Sequence, residues 1–493
     1  MLFNSFSFLL FFPTVVVCYF GLPHKYRWMV LLGASCVFYA AFIPAYIFIL
    51  FALIAIDYIA AILIENSDGV KKKHLLIGSI ILTCSPLVVF KYFNFFNSNI
   101  AWVAHALHWN YSIESLYWIL PIGLSFHTFQ SLSYLIEVYW GKQKAERHLG
   151  IFALYVMFFP QLVAGPIERP GNLLHQFYKK HEFVYTRVVS GLKLMGWGLF
   201  KKVVIANQIA GMVDGVYSNP QGASSTALVV ATVFFAFQIY CDFSGYSDMA
   251  IGAARVMGFT LMENFKRPYF SQSISEFWRR WHISLFGWFR DYVYIPLGGS
   301  RVSLPRWCIN ILVVFLISGL WHGANWTFII WGGLQGLFII ASKFTGNISN
   351  YIYRSTGLTQ LYRTKAVIKT VSTFSLVCFT WIFFRANSLY DAFSIVRRIC
   401  IGCINVVRSF PGSVMHTDIA KQLFLGRSSM EFGIVVVSLC LLFGVEFLQR
   451  KRDVFGELAH KQWWVRWSVY YIFVMWILFF GVFDNTPFIY FQF

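Results

Sequence analysis

Apolar runs of membrane-crossing length alternate with short polar connectors along almost the whole chain. They lie near residues 6–22, 28–42, 44–64, 75–93, 117–139, 149–164, 188–213, 227–258, 307–321, 324–342, 367–384, 432–448 and 465–483. A helix needs roughly 20 apolar residues to cross the hydrocarbon of a bilayer, so these runs predict about eleven to thirteen membrane segments, half-helices and re-entrant pieces included. The stretch from Trp307 to Ser342 carries no Lys, Arg, Asp or Glu and is too long for one span. Its polar break at Gly319-Leu320-Trp321-His322-Gly323-Ala324-Asn325 predicts two segments meeting there. His322 then lies at a hairpin turn or a helix break, where a membrane protein can keep an imidazole beside a water-filled cavity without stranding backbone groups.

A different pattern follows Ile274. Phe277, Trp278, Trp281, Leu285, Trp288, Phe289 and Tyr292 recur at helical spacing. At 100° per residue they form one stripe about 120° wide. Arg279 and Arg290 project from one flank, with His282 nearer the stripe edge. The segment reads as an amphipathic helix lying in the membrane interface, not a span. Its plainer reading is an anchor with snorkelling arginines.

Composition narrows the class. The chain has 493 residues, 58% of them hydrophobic and 12% charged. With a mean hydropathy of +0.61, it cannot hide its apolar surface in a soluble core. An all-α polytopic membrane protein is expected, as a single integral-membrane domain over residues 1–493. The net charge of +19 does not imply nucleic acid, because the basic residues fall in short clusters between apolar runs. Cytoplasmic loops obeying the positive-inside rule account for them. A basic pocket for a phosphorylated donor is the second reading. Lys71-Lys72-Lys73 and the Lys142 to Arg147 cluster are expected in the cytoplasm, and Asn94 to Trp118, without Lys or Arg, outside. The N-terminus lacks the positive region of a cleaved signal peptide, so the first apolar run is expected to stay as a membrane helix. Cysteines are scattered, and the lone Cys400-Ile401-Gly402-Cys403 has no second pair, so packing thiols and no metal site are expected.

The chemistry-bearing residues are few. His282 and His322 each follow a tryptophan. An uncharged imidazole in a dry site can take a proton from a hydroxyl, the task of a general base in acyl transfer. Between Gln238 and Asp248 a polar cluster brings Asp242 and Asp248 into or near the membrane. Isolated carboxylates at mid-depth cost roughly 2.5 to 3.5 kcal/mol each, so pairing with Arg255, Arg279 or Arg280 is expected. The sequence has no phosphate-binding Gly-x-x-x-x-Gly-Lys-Ser/Thr loop, no His-Glu-x-x-His and no Gly-x-Ser-x-Gly elbow, which removes support for nucleotide hydrolysis, zincin proteolysis and a hydrolase triad.

Together these residues resemble a family. Phe159-Pro160-Gln161-Leu162-Val163-Ala164-Gly165-Pro166-Ile167, Asp242-Phe243-Ser244-Gly245-Tyr246-Ser247-Asp248, Phe277 to Leu285, Phe289-Arg290-Asp291-Tyr292, Ile295 to Gly299 and Gly319 to Gly323 follow in the order seen in membrane-bound O-acyltransferases. The acyltransferase core motifs cover roughly residues 120–400, and the closing Pro487 to Phe493 is also similar to the bacterial branch that O-acetylates exported polysaccharides. The resemblance implies tilted helices around a central funnel and tunnel in the bacterial inner membrane. It implies acetyl-CoA as cytoplasmic donor, and as acceptor an exported polysaccharide (alginate-like, peptidoglycan or cellulose) or a periplasmic SGNH-hydrolase-like transferase partner. By resemblance His322 is the catalytic histidine and His282 the second polar residue of the pair. Arg279, Arg280, Arg290 and Trp281 are the candidate donor-binding residues, and the arginines serve equally for pairing with Asp242 or Asp291. Two other functions fit the same spans: a lipid-linked glycan transporter or flippase, and D-alanyl transfer to teichoic acid from a carrier protein. The lack of an internal repeat and the two Trp-His sites argue against transport.

Overall fold

The computed structural model describes residues 1–355, 361–408, 422–450, 452–483 and 488–489, and all regular structure among them is helical. The first half holds α1 (Phe6–Gly21), α2 (His24–Ala40), α3 (Tyr46–Glu65), α4 (Gly69–Ala106), α5 (Leu124–Tyr139), α6 (Leu149–Met157), α7 (Tyr185–Leu199) and α8 (Asn207–Tyr217). The second half holds α9 (Ser225–Met257), α10 (Ile274–Trp278), α11 (Ile283–Phe289), α12 (Leu304–His322), α13 (Trp326–Ser355), α14 (Tyr362–Arg385) and α15 (Leu389–Arg408). It ends with α16 (Ser429–Leu448), α17 (Val454–Ala459) and α18 (Trp463–Phe480). Among the described residues eight helices are long and apolar enough to cross a membrane. Phe6–Gly21 is apolar but shorter. The chain is a multi-pass, all-α membrane protein.

The basic clusters share one end of the bundle, as charge asymmetry demands. Arg147 pairs with Glu65 at the end of α3, the Tyr58 hydroxyl donates to the Arg147 carbonyl at 2.6 Å, and Lys72 lies over the Tyr139 ring at the end of α5. At 1.5 Å per residue, α4 carries the chain about 30 Å from that end by the time it reaches Lys91. There it contains a π-helical turn, Val88–Tyr92.

The core is organised around α9, whose 33 residues are mostly buried. It packs lengthwise on α7 because glycines face each other: a Cβ on Gly252 would lie 2.6 Å from the Gly191 carbonyl, and one on Gly245 would lie 2.7 Å from that of Gly198. Small residues of this kind let membrane helices approach to backbone contact. α9 therefore carries Asp242 and Asp248 against the π-helical segment Phe200–Ala206 that follows α7. Lys202 pairs with Asp242 at 2.6 Å, and Lys201 with Asp248 at 2.6 Å. These lysines, not the expected arginines, neutralise the two carboxylates. Arg255 instead donates to Ser190 at 3.1 Å, and Arg280 pairs with Glu276 at 2.6 Å. The buried Asp242 also accepts from the Ile489 backbone at 2.9 Å. Of the closing Pro487 to Phe493 segment, only Phe488, packed on Tyr246 at 5.0 Å, and Ile489 belong to the described residues.

Other expectations shift. Asn94 to Ala106 continues α4 as helix, so the polar connector is shorter than expected. The apolar run at 149–164 is helical only to Met157, after which the Phe159 to Pro166 motif folds as buried turns. The connector implied between the apolar runs at 324–342 and 367–384 is helical to Ser355. All nine cysteines are free, and of Cys84, Cys378 and Cys440 only Cys378 is buried.

The largest correction concerns Ile274 to Tyr292. The stripe residues Phe277, Trp278, Trp281, Leu285, Trp288 and Phe289 are buried, as the periodicity implies. The segment is not one interfacial helix, however. It splits into α10 and α11 at His282, whose φ of 43° lies in the left-handed region, and it sits inside the helical body.

Candidate functional site

Two helices meet at the predicted break. α12 ends at His322 and α13 starts at Trp326, forming a hairpin whose close approach depends on glycine. A Cβ on Gly319 would lie 2.3 Å from the Phe328 carbonyl, and one on Gly332 would lie 2.2 Å from that of Phe315. The tight crossing buries His322, leaving 3% of it exposed. Its ring meets Trp331 edge-on at 5.0 Å and Phe384 at 5.6 Å. The imidazole thus stands on the last turn of a rigid helix between aromatic walls.

The left-handed turn between α10 and α11 brings the second histidine opposite. A non-glycine residue in this region is uncommon and persists when its surroundings over-determine it. Here Asn264 does so: its carbonyl accepts from the Ile283 backbone at 2.9 Å, and its side-chain oxygen accepts from the Ser284 hydroxyl at 2.6 Å. Ser284 in turn accepts from the Ile167 backbone at 3.0 Å, tying the Phe159 to Ile167 motif to the same turn. His282 is fully buried, packs on Phe243 at 4.6 Å and faces His322 with ring centroids 6.3 Å apart. The structure brings together the two histidines, 40 positions apart in sequence.

Two clefts approach this pair from opposite ends. The outer one, about 60 Å³, is lined by Lys91, Pro121, Gly123, Ser125, Phe126 and His322 among others. Both Leu124, at the start of α5, and His322, at the end of α12, lie far from the basic end. The inner cleft is about 610 Å³ and is lined by Arg169, Trp278, Arg279, Phe286, Arg290 and Trp307 among others. Trp307 stands at the start of α12, and Tyr292 donates to Glu137 near the end of α5 at 2.5 Å, so this cleft opens toward the basic end. One aromatic layer separates it from the imidazole: Trp278 packs on Trp331 at 5.8 Å, and Trp331 on His322. Trp278 is held by donating to Gln335 at 3.1 Å, which donates to Thr380 at 2.8 Å.

Of the expected donor-binding residues, Arg279 and Arg290 line the inner cleft. Arg290 also pairs with Asp291 at 2.8 Å, which was the other expectation for it. Arg280 and Trp281 do not line it. Trp281 is buried among Phe265, Phe277 and Trp381, where it packs the core behind His282.

Sequence reasoning missed Arg169 and Lys91. Arg169 lines the inner cleft, lies over the Tyr292 ring at 4.8 Å and has Asp291 at 3.6 Å. Lys91 donates to the Trp321 carbonyl at 2.7 Å and the His322 carbonyl at 3.1 Å, beside Tyr92, whose hydroxyl donates to the Leu320 carbonyl at 3.1 Å. A signal for Lys91 existed, because a lone lysine inside the apolar run Val88-Val89-Phe90-Lys91-Tyr92-Phe93 is an expensive residue to place in a membrane.

The imidazole pair thus lies between two clefts, with the Trp278–Trp331 layer closing it off from the inner one. Comparisons with known proteins give the family. Residues 148–386 match the model of the membrane-bound O-acyltransferase family. The chain is 38% identical over 398 residues to the probable alginate O-acetylase of Azotobacter vinelandii, covering 79% of this chain and 76% of that protein. It is 35% identical over 399 residues to the peptidoglycan O-acetyltransferase of Helicobacter pylori, covering 75% and 72%. Similarity to the teichoic acid D-alanyltransferase of Bacillus subtilis is lower, 26% over 286 residues, covering 55% and 69%. Since the family model spans residues 148–386, where both histidines stand, and the match to the first of these relatives runs through more than three quarters of both chains, the chain belongs to the membrane-bound O-acyltransferase family.

Proposed function

We propose that this O-acyltransferase takes an acetyl group from cytoplasmic acetyl-CoA and passes it across the bacterial inner membrane to an exported polysaccharide or to a periplasmic SGNH-hydrolase-like partner. The observation that carries this reading is the buried His282–His322 pair lying between an inner cleft with three arginines and an outer cleft that His322 itself lines. Arg169, Arg279 and Arg290 receive the phosphates of the donor, where charge-assisted hydrogen bonds to guanidinium groups are strongest. The thioester reaches past the Trp278 layer, and the acceptor hydroxyl enters from the outer cleft. A charged coenzyme never has to cross the bilayer. The relatives, by name a probable alginate O-acetylase and a peptidoglycan O-acetyltransferase, support a glycan as the final acceptor.

In the reaction, His322 takes the acceptor's hydroxyl proton as the oxygen attacks the thioester carbonyl carbon. His282 orients the acyl group or steadies the oxyanion. The carbon–sulfur bond then breaks and the departing thiolate takes the proton from the imidazolium, leaving ester on the outer side and free thiol on the inner side. No metal enters these steps. The test uses purified protein in nanodiscs with radiolabelled acetyl-CoA, comparing wild type with His322→Ala for thioester turnover and for label on partner or glycan. Loss of a general base lowers the rate by about 10²- to 10⁴-fold. Wild-type turnover by folded His322→Ala would sink the assignment. Turnover only with an acyl carrier protein would replace the donor.

A further inference from the structure

A helix leaves its last four carbonyls without intrahelical partners, and buried carbonyls left unpaired are costly. At the end of α12 the four are those of residues 319 to 322. The Gly319 carbonyl accepts from the Gly323 backbone at 3.2 Å. The other three are all met by side chains from one turn of α4: Tyr92 serves Leu320, and Lys91 serves Trp321 and His322. That turn is the π-helical Val88–Tyr92. A π-turn is rare, and its extra residue changes which side chains face the neighbouring helix, which is why such turns collect at functional sites. Lys91 also places a positive charge at the negative end of the α12 dipole, the favourable arrangement.

We infer that Lys91 is a positioning residue for His322: its ammonium clamps the terminal carbonyls of α12 and so holds the imidazole in its reactive place. The inference rests on the reading of His322 as the base. Lys91 acts through the backbone of the residue it holds, so its loss acts on kcat and leaves donor affinity alone; the acceptor KM is not the diagnostic, because Lys91 also lines the outer cleft. Three features distinguish this from a substrate contact. Its bonds go to main-chain oxygens, they come in a pair on successive residues, and they complete a cap begun by Tyr92.

The experiment measures kcat and both KM values for acetyl transfer by the full-length protein in nanodiscs, for wild type, Lys91→Met, Lys91→Arg, His322→Ala and the Lys91→Met/His322→Ala double variant. Monodisperse elution and a thermal midpoint qualify each variant as folded. A displacement of the base by 1 Å costs about 10²-fold in rate, so Lys91→Met is expected to lose about that in kcat with the donor KM within about threefold of wild type. Lys91→Arg, which can still reach two carbonyls, is expected to recover at least about tenfold of the loss. The double variant is expected to be no slower than His322→Ala, since residues acting as one unit are not additive. An unchanged kcat in folded Lys91→Met overturns the inference. So does a raised donor KM at constant kcat, and so does additivity in the double variant. If Lys91→Met does not fold, Lys91→Gln, which keeps a donor without the charge, is judged by the same criteria. Activity retained by His322→Ala removes the base itself, whereas an inactive His322→Ala beside a normal Lys91→Met removes only the role of Lys91.

Discussion

Replacing Gly332 by alanine tests how closely the reactive position depends on the α12–α13 hairpin. The new Cβ would fall 2.2 Å from the Phe315 carbonyl, about 1 Å short of the 3.4 Å at which ordinary contact begins. The obstacle is backbone, with no flexible side chain to swing aside, so the two helices must part. Forcing extra volume into a close-packed contact costs about 1 to 3 kcal/mol. Phe315 lies two turns before His322 on the same rigid helix, so separation of that size moves the imidazole by a comparable distance. A shift of 1 Å costs about 10²-fold in rate. Gly333→Ala is the matched control, because its Cβ would meet only Leu316 Cδ2 at 3.5 Å. The assay is initial-rate acetyl transfer at saturating donor, with thermal midpoints from fluorescence-detected size exclusion. Lower kcat and lower midpoint for Gly332→Ala, with Gly333→Ala like wild type, is the expected result. A kcat for Gly332→Ala within about threefold of wild type refutes the reasoning, since the hairpin would then tolerate separation without moving the base.

Two other predictions concern charge. Lys202→Met strands Asp242 in the core, and breaking a buried pair by removing one partner costs about 3 to 5 kcal/mol. Folded yield and thermal midpoint should fall sharply, and Lys202→Met combined with Asp242→Asn should recover part of both. A stable single variant would mean that the pair is not buried as described. In the inner cleft, Arg279→Ala and Arg290→Ala should each raise donor KM by about tenfold, the worth of one charge-assisted hydrogen bond, while kcat stays within about twofold. A fall in kcat at constant donor KM would move the donor elsewhere.

The sequence by itself determined the membrane class, the clusters of basic residues, the break at Gly319 to Asn325 between two segments and the choice of His282 and His322 as candidates. These rest on local quantities: apolar run length, lysine and arginine clusters, and a polar break that hydrocarbon forbids unless it lines a cavity. Periodicity also picked out the buried stripe of Phe277 to Phe289, since the same 3.6-residue pattern serves a membrane surface and a protein core. It did not reveal the left-handed turn at His282, because that conformation is imposed by Asn264, 18 residues away in sequence. Nor could it choose lysines over arginines for Asp242 and Asp248. Neighbourhood in a buried charge pair is set by the glycine-permitted approach of α7 to α9, which no spacing along the chain encodes. Lys91 shows the division most plainly. Its charge inside an apolar run was visible in the sequence, but its task was decided where the π-turn of α4 meets the open carbonyls of α12, more than 200 residues later.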